Sequence, residues 1–279
     1  MKNQWLMLVV CLVFFAGLVT NVAASETRVF SMGQTGLFMH DNSNIRAFPG
    51  QVMRYNNEVL TELRLKDNES LFSAEVRLPF EGFVFGLNFN RPLVVRYPGE
   101  PSLTLPSIGQ NVVLNNTSDL YFGMPLGSGD LGVRLSYGTD GFTQDSTFGQ
   151  PKVEESTRYL ELAGGFTTDM FDASLSIELP SADGEVGGLK DEASGTLFNL
   201  KGRYFYEYTS KIKFVPVVQL GFGSGSQKTD QGGGQPQIET DLSQMYLNLG
   251  VGMNYQVAEN SVLIVAIDPF GYSQFKQDI

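Results

Sequence analysis

The chain has little with which to do thiol or imidazole chemistry: one cysteine, one tryptophan and one histidine in 279 residues. Cys11 and Trp5 both fall within the first 24 residues, an apolar leader. A disulfide framework and a thiolate metal cluster are therefore excluded from the rest. Basic side chains are also scarce, 19 against 30 acidic ones for a formal charge of −11. Nucleic acid is disfavoured as a partner, because phosphates need a basic surface. Beyond the leader no apolar run is long enough for a transmembrane helix, so any crossing of a bilayer falls to strands. Gly-x-Ser-x-Gly, His-Glu-x-x-His and P-loop patterns are all missing. His40, beside Asp41, has no nucleophile motif to serve and reads as a satisfied polar residue. No enzymatic activity, cofactor or metal is expected.

The leader has the parts of a secretory signal. Lys2 gives the positive start, Trp5 to Val19 the apolar stretch, and Val22-Ala23-Ala24 before Ser25 the small-residue cleavage site. The remainder of the chain alternates. In Phe171-Asp172-Ala173-Ser174-Leu175-Ser176-Ile177-Glu178-Leu179 one face is apolar and the other hydrophilic. The same period of two recurs over 59–66, 71–79, 83–89, 120–126, 131–137, 159–166, 197–208, 212–222, 242–255 and 262–270. Runs of about nine to eleven such residues, tilted, cross a bilayer as β-strands. The hydrophobic content of 42% and mean hydropathy of −0.07 fit a membrane barrel, since half of every strand faces water or a polar interior.

Connections alternate too. Gly127-Ser128-Gly129-Asp130, Thr167-Thr168-Asp169, Thr209-Ser210 and Ala258-Glu259-Asn260 are tight turns. Between them lie polar stretches, 138–158, 180–196 and 223–241, read as long external loops. Their acidic side chains, among them Asp140, Asp145, Glu154, Glu155, Asp183, Glu185, Asp191 and Glu192, lack the spacing of a calcium loop and read as solvated surface. Phe166, Phe171, Tyr206, Tyr208 and Tyr255 flank the short turns as an interfacial girdle would. The expected fold is all-β, an up-and-down antiparallel transmembrane barrel in the bacterial outer membrane, with outer-membrane lipid around it. Residues 1–24 are the signal, 25–58 an N-terminal plug or lead-in, and 59–279 the barrel. About eleven spans are counted, an odd number, whereas bacterial single-chain barrels use even ones. Counting 28–38 as a further strand makes the number even but puts both ends outside. The preferred expectation is a barrel truncated at its C-terminus, about fourteen strands when whole.

The hydrophilic rows hold charges of both signs: Glu62, Arg64, Lys66, Glu75, Arg77, Arg134, Glu161, Asp172, Glu178, Lys201, Arg203 and Lys213. They line either a wet passage that selects solutes or an interior held shut by ion pairs. In the N-terminal segment Asp41-Asn42-Ser43-Asn44 and Pro49-Gly50 are turn formers that break any long strand. Arg46 and Arg54 are expected to pair with acidic residues of the interior.

The order Arg28-Val29-Phe30-Ser31-Met32-Gly33, then Asp41-Asn42-Ser43-Asn44, then Phe48-Pro49-Gly50 resembles the start of FadL-like and PorV-like outer-membrane barrels. Those families open with an Arg-x-x-x-Met-Gly-like stretch, an Asp-x-x-Asn element and an Asn-Pro-Ala/Gly element; Phe48 stands here where they have Asn. The resemblance covers residues 26–50 and implies a segment folded inside the barrel, with Arg28, Met32, Gly33, Asp41, Asn44, Pro49 and Gly50 as its plug residues. It also implies one of two roles. FadL-like relatives are channels for a hydrophobic or small amphipathic solute. PorV-like relatives partner a secretion or surface-layer protein without transporting.

Overall fold

The computed structural model describes residues 35–39, 41–63, 72–92, 116–146, 151–230, 235–258 and 261–278. The signal segment, Arg28, Met32, Gly33, His40, Arg64 and Lys66 lie outside them, and so does the side chain of Glu62.

Twelve strands make one antiparallel sheet in chain order. They are β1 (Glu58–Leu63), β2 (Phe72–Phe80), β3 (Phe83–Pro92), β4 (Asn116–Leu126), β5 (Gly129–Gln144), β6 (Val153–Thr167), β7 (Phe171–Val186), β8 (Leu189–Tyr204), β9 (Tyr206–Thr209), β10 (Ile212–Thr229), β11 (Ile238–Ala258) and β12 (Ser261–Asp278). β9 continues the line of β8 after a break at Phe205, whose ring turns into the interior, and both strands pair with β10. The span read as one strand over 197–208 is thus interrupted. β1 and β12 end the sheet, and among the described residues they are not paired with each other.

One face of the sheet is greasy. Along β7, Phe171, Leu175 and Leu179 are exposed while Asp172, Ser174, Ser176 and Glu178 between them are buried. At about 3.3 Å per residue and a tilt near 40°, those nine residues rise about 23 Å, close to the lipid-facing band of an outer-membrane barrel. The band stops together on neighbouring strands. Tyr137, Leu160 and Leu179 are successive register partners, as are Ile177, Phe198, Phe222 and Met245. Above this line the same face carries Ser181, Asp183 and Glu185 on β7 and Ser224, Ser226 and Lys228 on β10. Phe198 and Phe222 stack at the upper edge, ring centroids 5.3 Å apart; Phe166 with Phe171 and Tyr208 with Phe214 meet at the lower one. A sheet with apolar residues outside and polar residues inside, too large a greasy surface for water, is built for lipid. Placing arginine at Leu175, mid-band, should cost about 2–4 kcal/mol, and at Ser181, beyond the band, about 0–1. Denaturant unfolding in lipid vesicles measures both, and equal costs would remove lipid from the account.

The stretches read as long loops are mostly strand. β5 runs on to Gln144, β7 and β8 close through Gly187-Gly188, and β10 and β11 stay paired as far as Thr229 and Ile238. Gly187 and Gly188 have φ of +62° and +86°, the backbone a two-residue hairpin turn demands. Polarity reports exposure to water, and it says nothing against hairpins that continue above the membrane.

Candidate functional site: the N-terminal segment against the inner wall

The residues before β1 form three 3-10 turns, Thr35–Phe38, Asn42–Ile45 and Pro49–Met53. Residues 35–38 are therefore not part of a strand. Asp41 caps the second turn, its carboxylate accepting from the Ser43 N–H at 2.9 Å. Asn44 is fully buried; its amide donates to Met39 O at 2.7 Å, and its carbonyl accepts from the Phe48 N–H at 2.8 Å. These local bonds satisfy a backbone that has no strand partner.

The segment sits on the polar face near the short turns. Gly123, Gly132 and Gly165 are successive register partners on β4, β5 and β6 and lie beneath the third turn. A Cβ on Gly132 would come 2.0 Å from Pro49 O, one on Gly165 2.8 Å from Pro49 Cδ, and one on Gly123 2.5 Å from Val52 Cγ1. Gly50 returns the fit, since a Cβ there would meet Asp130 O at 2.7 Å. Three side-chain-free positions in one row make a seat for a turn, and any larger residue fills it. Leu37, Phe38, Ala47 and Phe48 pack on Phe205, Val215 and Val217, close to the turn after β9.

Polar contacts complete the joint. Arg203 is at its centre, with no exposed side-chain surface. Its Nε donates to Asp172 Oδ2 at 2.6 Å, and its Nη1 to Leu37 O at 2.7 Å and Met39 O at 2.8 Å. The guanidinium lies 4.5 Å from the Phe48 ring centroid and 4.9 Å from that of Phe205. Gln51 Nε2 donates to the same Asp172 oxygen at 2.9 Å, and Asn254 Nδ2 to Phe38 O at 2.8 Å. Arg54 meets Asp169 at 3.0 Å and Asp130 at 3.7 Å on the rim. Burial pushes the Tyr55 hydroxyl above its ordinary range, so it stays neutral.

Further from the short turns the wall carries its own ion pairs. Arg134 Nη2 donates to Glu161 Oε1 at 2.5 Å and Nη1 to Ser136; Tyr159 OH donates to Glu161 Oε2 at 2.7 Å. Arg91 Nη1 donates to Tyr121 OH at 2.8 Å and lies 3.4 Å from Asp119, to which Tyr121 OH also donates. Arg77 meets Glu58 at 2.6 Å and Glu75 at 3.1 Å. Glu178 accepts from Asn199 at 2.6 Å, and Lys201 is buried in the row between Ser174 and Gln219. Lys213 stands instead at the short-turn rim, 2.5 Å from Glu207 and largely in solvent. Glu62 takes a register position opposite Ser73. Asp119, Arg91, Tyr121 and Tyr159 are not candidates on sequence grounds. Asp119 lies two residues before Tyr121 on the same face, a parity that extends the strand read as 120–126 by one residue.

No family model matches the chain, and no curated protein does. Among solved structures it is similar to in-vitro folded OmpT, an outer membrane protein of Vibrio cholerae, at 17% identity over 76% of this chain and 56% of that one, TM-score 0.35. The loop L8 deletion mutant of OmpT gives 16% over 74% and 58%, TM-score 0.34. The Serratia marcescens hemophore receptor HasR, in complex with its hemophore HasA and heme, gives 13% over 78% and 40%, TM-score 0.37. The chain thus spans less than two thirds of each. With overlaps so slight, the class of the fold rests on the sheet's own two faces. The chain forms the wall of an outer-membrane β-barrel.

Proposed function

We propose that the protein is an outer-membrane channel, FadL-like in plan, whose N-terminal segment closes the mouth at the short turns. Its cargo is a small amphipathic solute. One observation carries this reading: the described residues of the segment, 35–39 and 41–56, are held by side chains and a glycine seat, with no strand pairing to the sheet. A segment so attached can leave without unravelling a ladder. The interior above it is polar, which favours an amphipathic cargo over a purely hydrophobic one. Deleting residues 25–55 should raise ion and solute flux into liposomes well above that of the intact chain. Equal, negligible flux in both would overturn the proposal.

A second reading, a PorV-like partner of a secretion or surface-layer protein, draws on a different observation. The β5–β6, β7–β8 and β10–β11 hairpins stand above the apolar band, where a protein partner would meet them. Copurification of such a partner, with no flux after the deletion, would favour it.

A further inference from the structure

We propose that the outward face of the hairpins holds the headgroup of a phosphorylated glycolipid of the outer leaflet, its phosphate on Arg158 and its sugars in the recess above. The inference is independent of whether the interior conducts. It carries the lipid-facing surface upward, from the acyl chains to the groups that follow them.

Arg158 stands at the boundary. Tyr137, Leu160 and Leu179, register partners at the top of the apolar band, are all exposed. Arg158 is the next outward residue of β6 above Leu160, about 5 Å further from the bilayer centre at the strand's rise and tilt. It is exposed, and its register partners are Thr139 on β5 and Ser181 on β7. Ser194 on β8 and Ser226 on β10 continue the same row. The other described cations above the band on the three hairpins are taken: Lys152 by Glu154, Lys190 by Glu185 at 4.0 Å and Lys228 by Glu239 at 3.5 Å. Arg158 forms no ion pair with any described residue. A guanidinium with hydroxyls on both sides, at the depth where acyl chains give way to headgroups, matches a lipid phosphate. The charge is met, and neutral donors remain for the other oxygens.

The recess lies directly above. It measures about 560 Å³ and is lined mainly from the outward face, by Ser156, Asp183, Glu185, Lys190 and Glu192, with Arg158 on its membrane side. Gly141 on β5, opposite Ser156, puts no side chain into it. Four strands spaced about 4.8 Å apart make this face about 14 Å wide. Asp183 and Glu192, opposite each other in register, stand one outward position beyond Ser181 and Ser194; Glu185, opposite Glu154, stands one further. Carboxylates accept hydrogen bonds and do not donate them. They repel a phosphate that rides higher, which fixes its level at Arg158, and they accept from sugar hydroxyls. A phosphoethanolamine headgroup ends close to its phosphate and leaves most of the recess to water.

The test is native mass spectrometry of the full chain in detergent, with EDTA present so that no divalent cation bridges the charges. The probes are lipid A, a bisphosphorylated glucosamine-disaccharide lipid, and phosphatidylethanolamine. Heat-modifiable mobility in SDS gels confirms the folding of each variant. Wild type should retain lipid A at a lower concentration than phosphatidylethanolamine. Arg158→Gln should weaken lipid A binding about fivefold, the worth of one basic residue at an anionic membrane surface, while Arg158→Lys keeps most of it. Asp183→Ala/Glu192→Ala should weaken it about threefold, through lost acceptors. Lys276→Gln, which removes the same charge from β12 outside the recess, should match wild type. Equal retention of the two lipids by wild type, or wild-type binding in Arg158→Gln, would overturn the proposal. Tighter lipid A binding in Asp183→Ala/Glu192→Ala would overturn it too, since the carboxylates would then only repel the lipid and the recess would suit a basic protein.

Discussion

Arg203→Leu is expected to destabilise the folded protein by about 3–5 kcal/mol, because Asp172 is left buried with its charge unpaired. Asp172 has almost no solvent exposure, and the Gln51 amide is the other donor to the same oxygen. The double variant Arg203→Leu/Asp172→Leu should recover much of the loss, since removing both charges is far less costly than removing one. The same change frees the carbonyls of Leu37 and Met39 and takes away the cation lying against Phe48. The N-terminal segment should therefore loosen together with the wall, and trypsin should cut at Arg46 and Arg54 in the variant before it does in wild type. Guanidinium unfolding in lipid vesicles gives the first quantity and limited proteolysis the second. A loss below about 1 kcal/mol, the worth of an exposed pair, would mean that Arg203 and Asp172 do not form a buried joint.

The two faces of the sheet were legible because burial on one side of a strand forces a period of two, and that survives in sequence without knowledge of neighbours. Phe171 to Leu179 is the plainest case. The hairpins above the membrane were less legible. Asp183, Glu185 and Glu192 are polar whether they stand on strands or in loops, and Gly187-Gly188 was the local signal that they stand on strands. The seat for the N-terminal segment was not legible at all. Gly123, Gly132 and Gly165 are far apart in sequence, and only register brings them into one row. Pairing in the interior behaved likewise. Arg54 meets Asp169 and Asp130 at the rim, whereas Arg46 forms no ion pair within 4 Å with any described residue and has Glu161 only as a more distant attractive neighbour.

Gly132→Val should drive the N-terminal segment from its seat while leaving the strands in place. Valine is a favourable strand residue, so β5 itself loses nothing by the change. The space is the difficulty. The new Cβ would lie 2.0 Å from Pro49 O, 2.3 Å from Pro49 C and 2.6 Å from Gly50 N, all backbone atoms that cannot rotate aside. Overpacking of this kind is relieved by whichever side is less firmly held. The wall is tied on both edges of β5 by ladders to β4 and β6, whereas the segment has only side-chain contacts and the seat itself. The segment should yield. Gly164→Val is the matched control, since it faces outward and a Cβ there meets no atom within 4 Å. For Gly132→Val, liposome flux should rise to that of the chain lacking residues 25–55, with trypsin cleavage at Arg46 and unchanged heat-modifiable mobility. For Gly164→Val, all three should match wild type. Wild-type flux and cleavage in Gly132→Val, with a large fall in stability instead, would show that the wall gives way first and that the segment is a fixed part of the barrel.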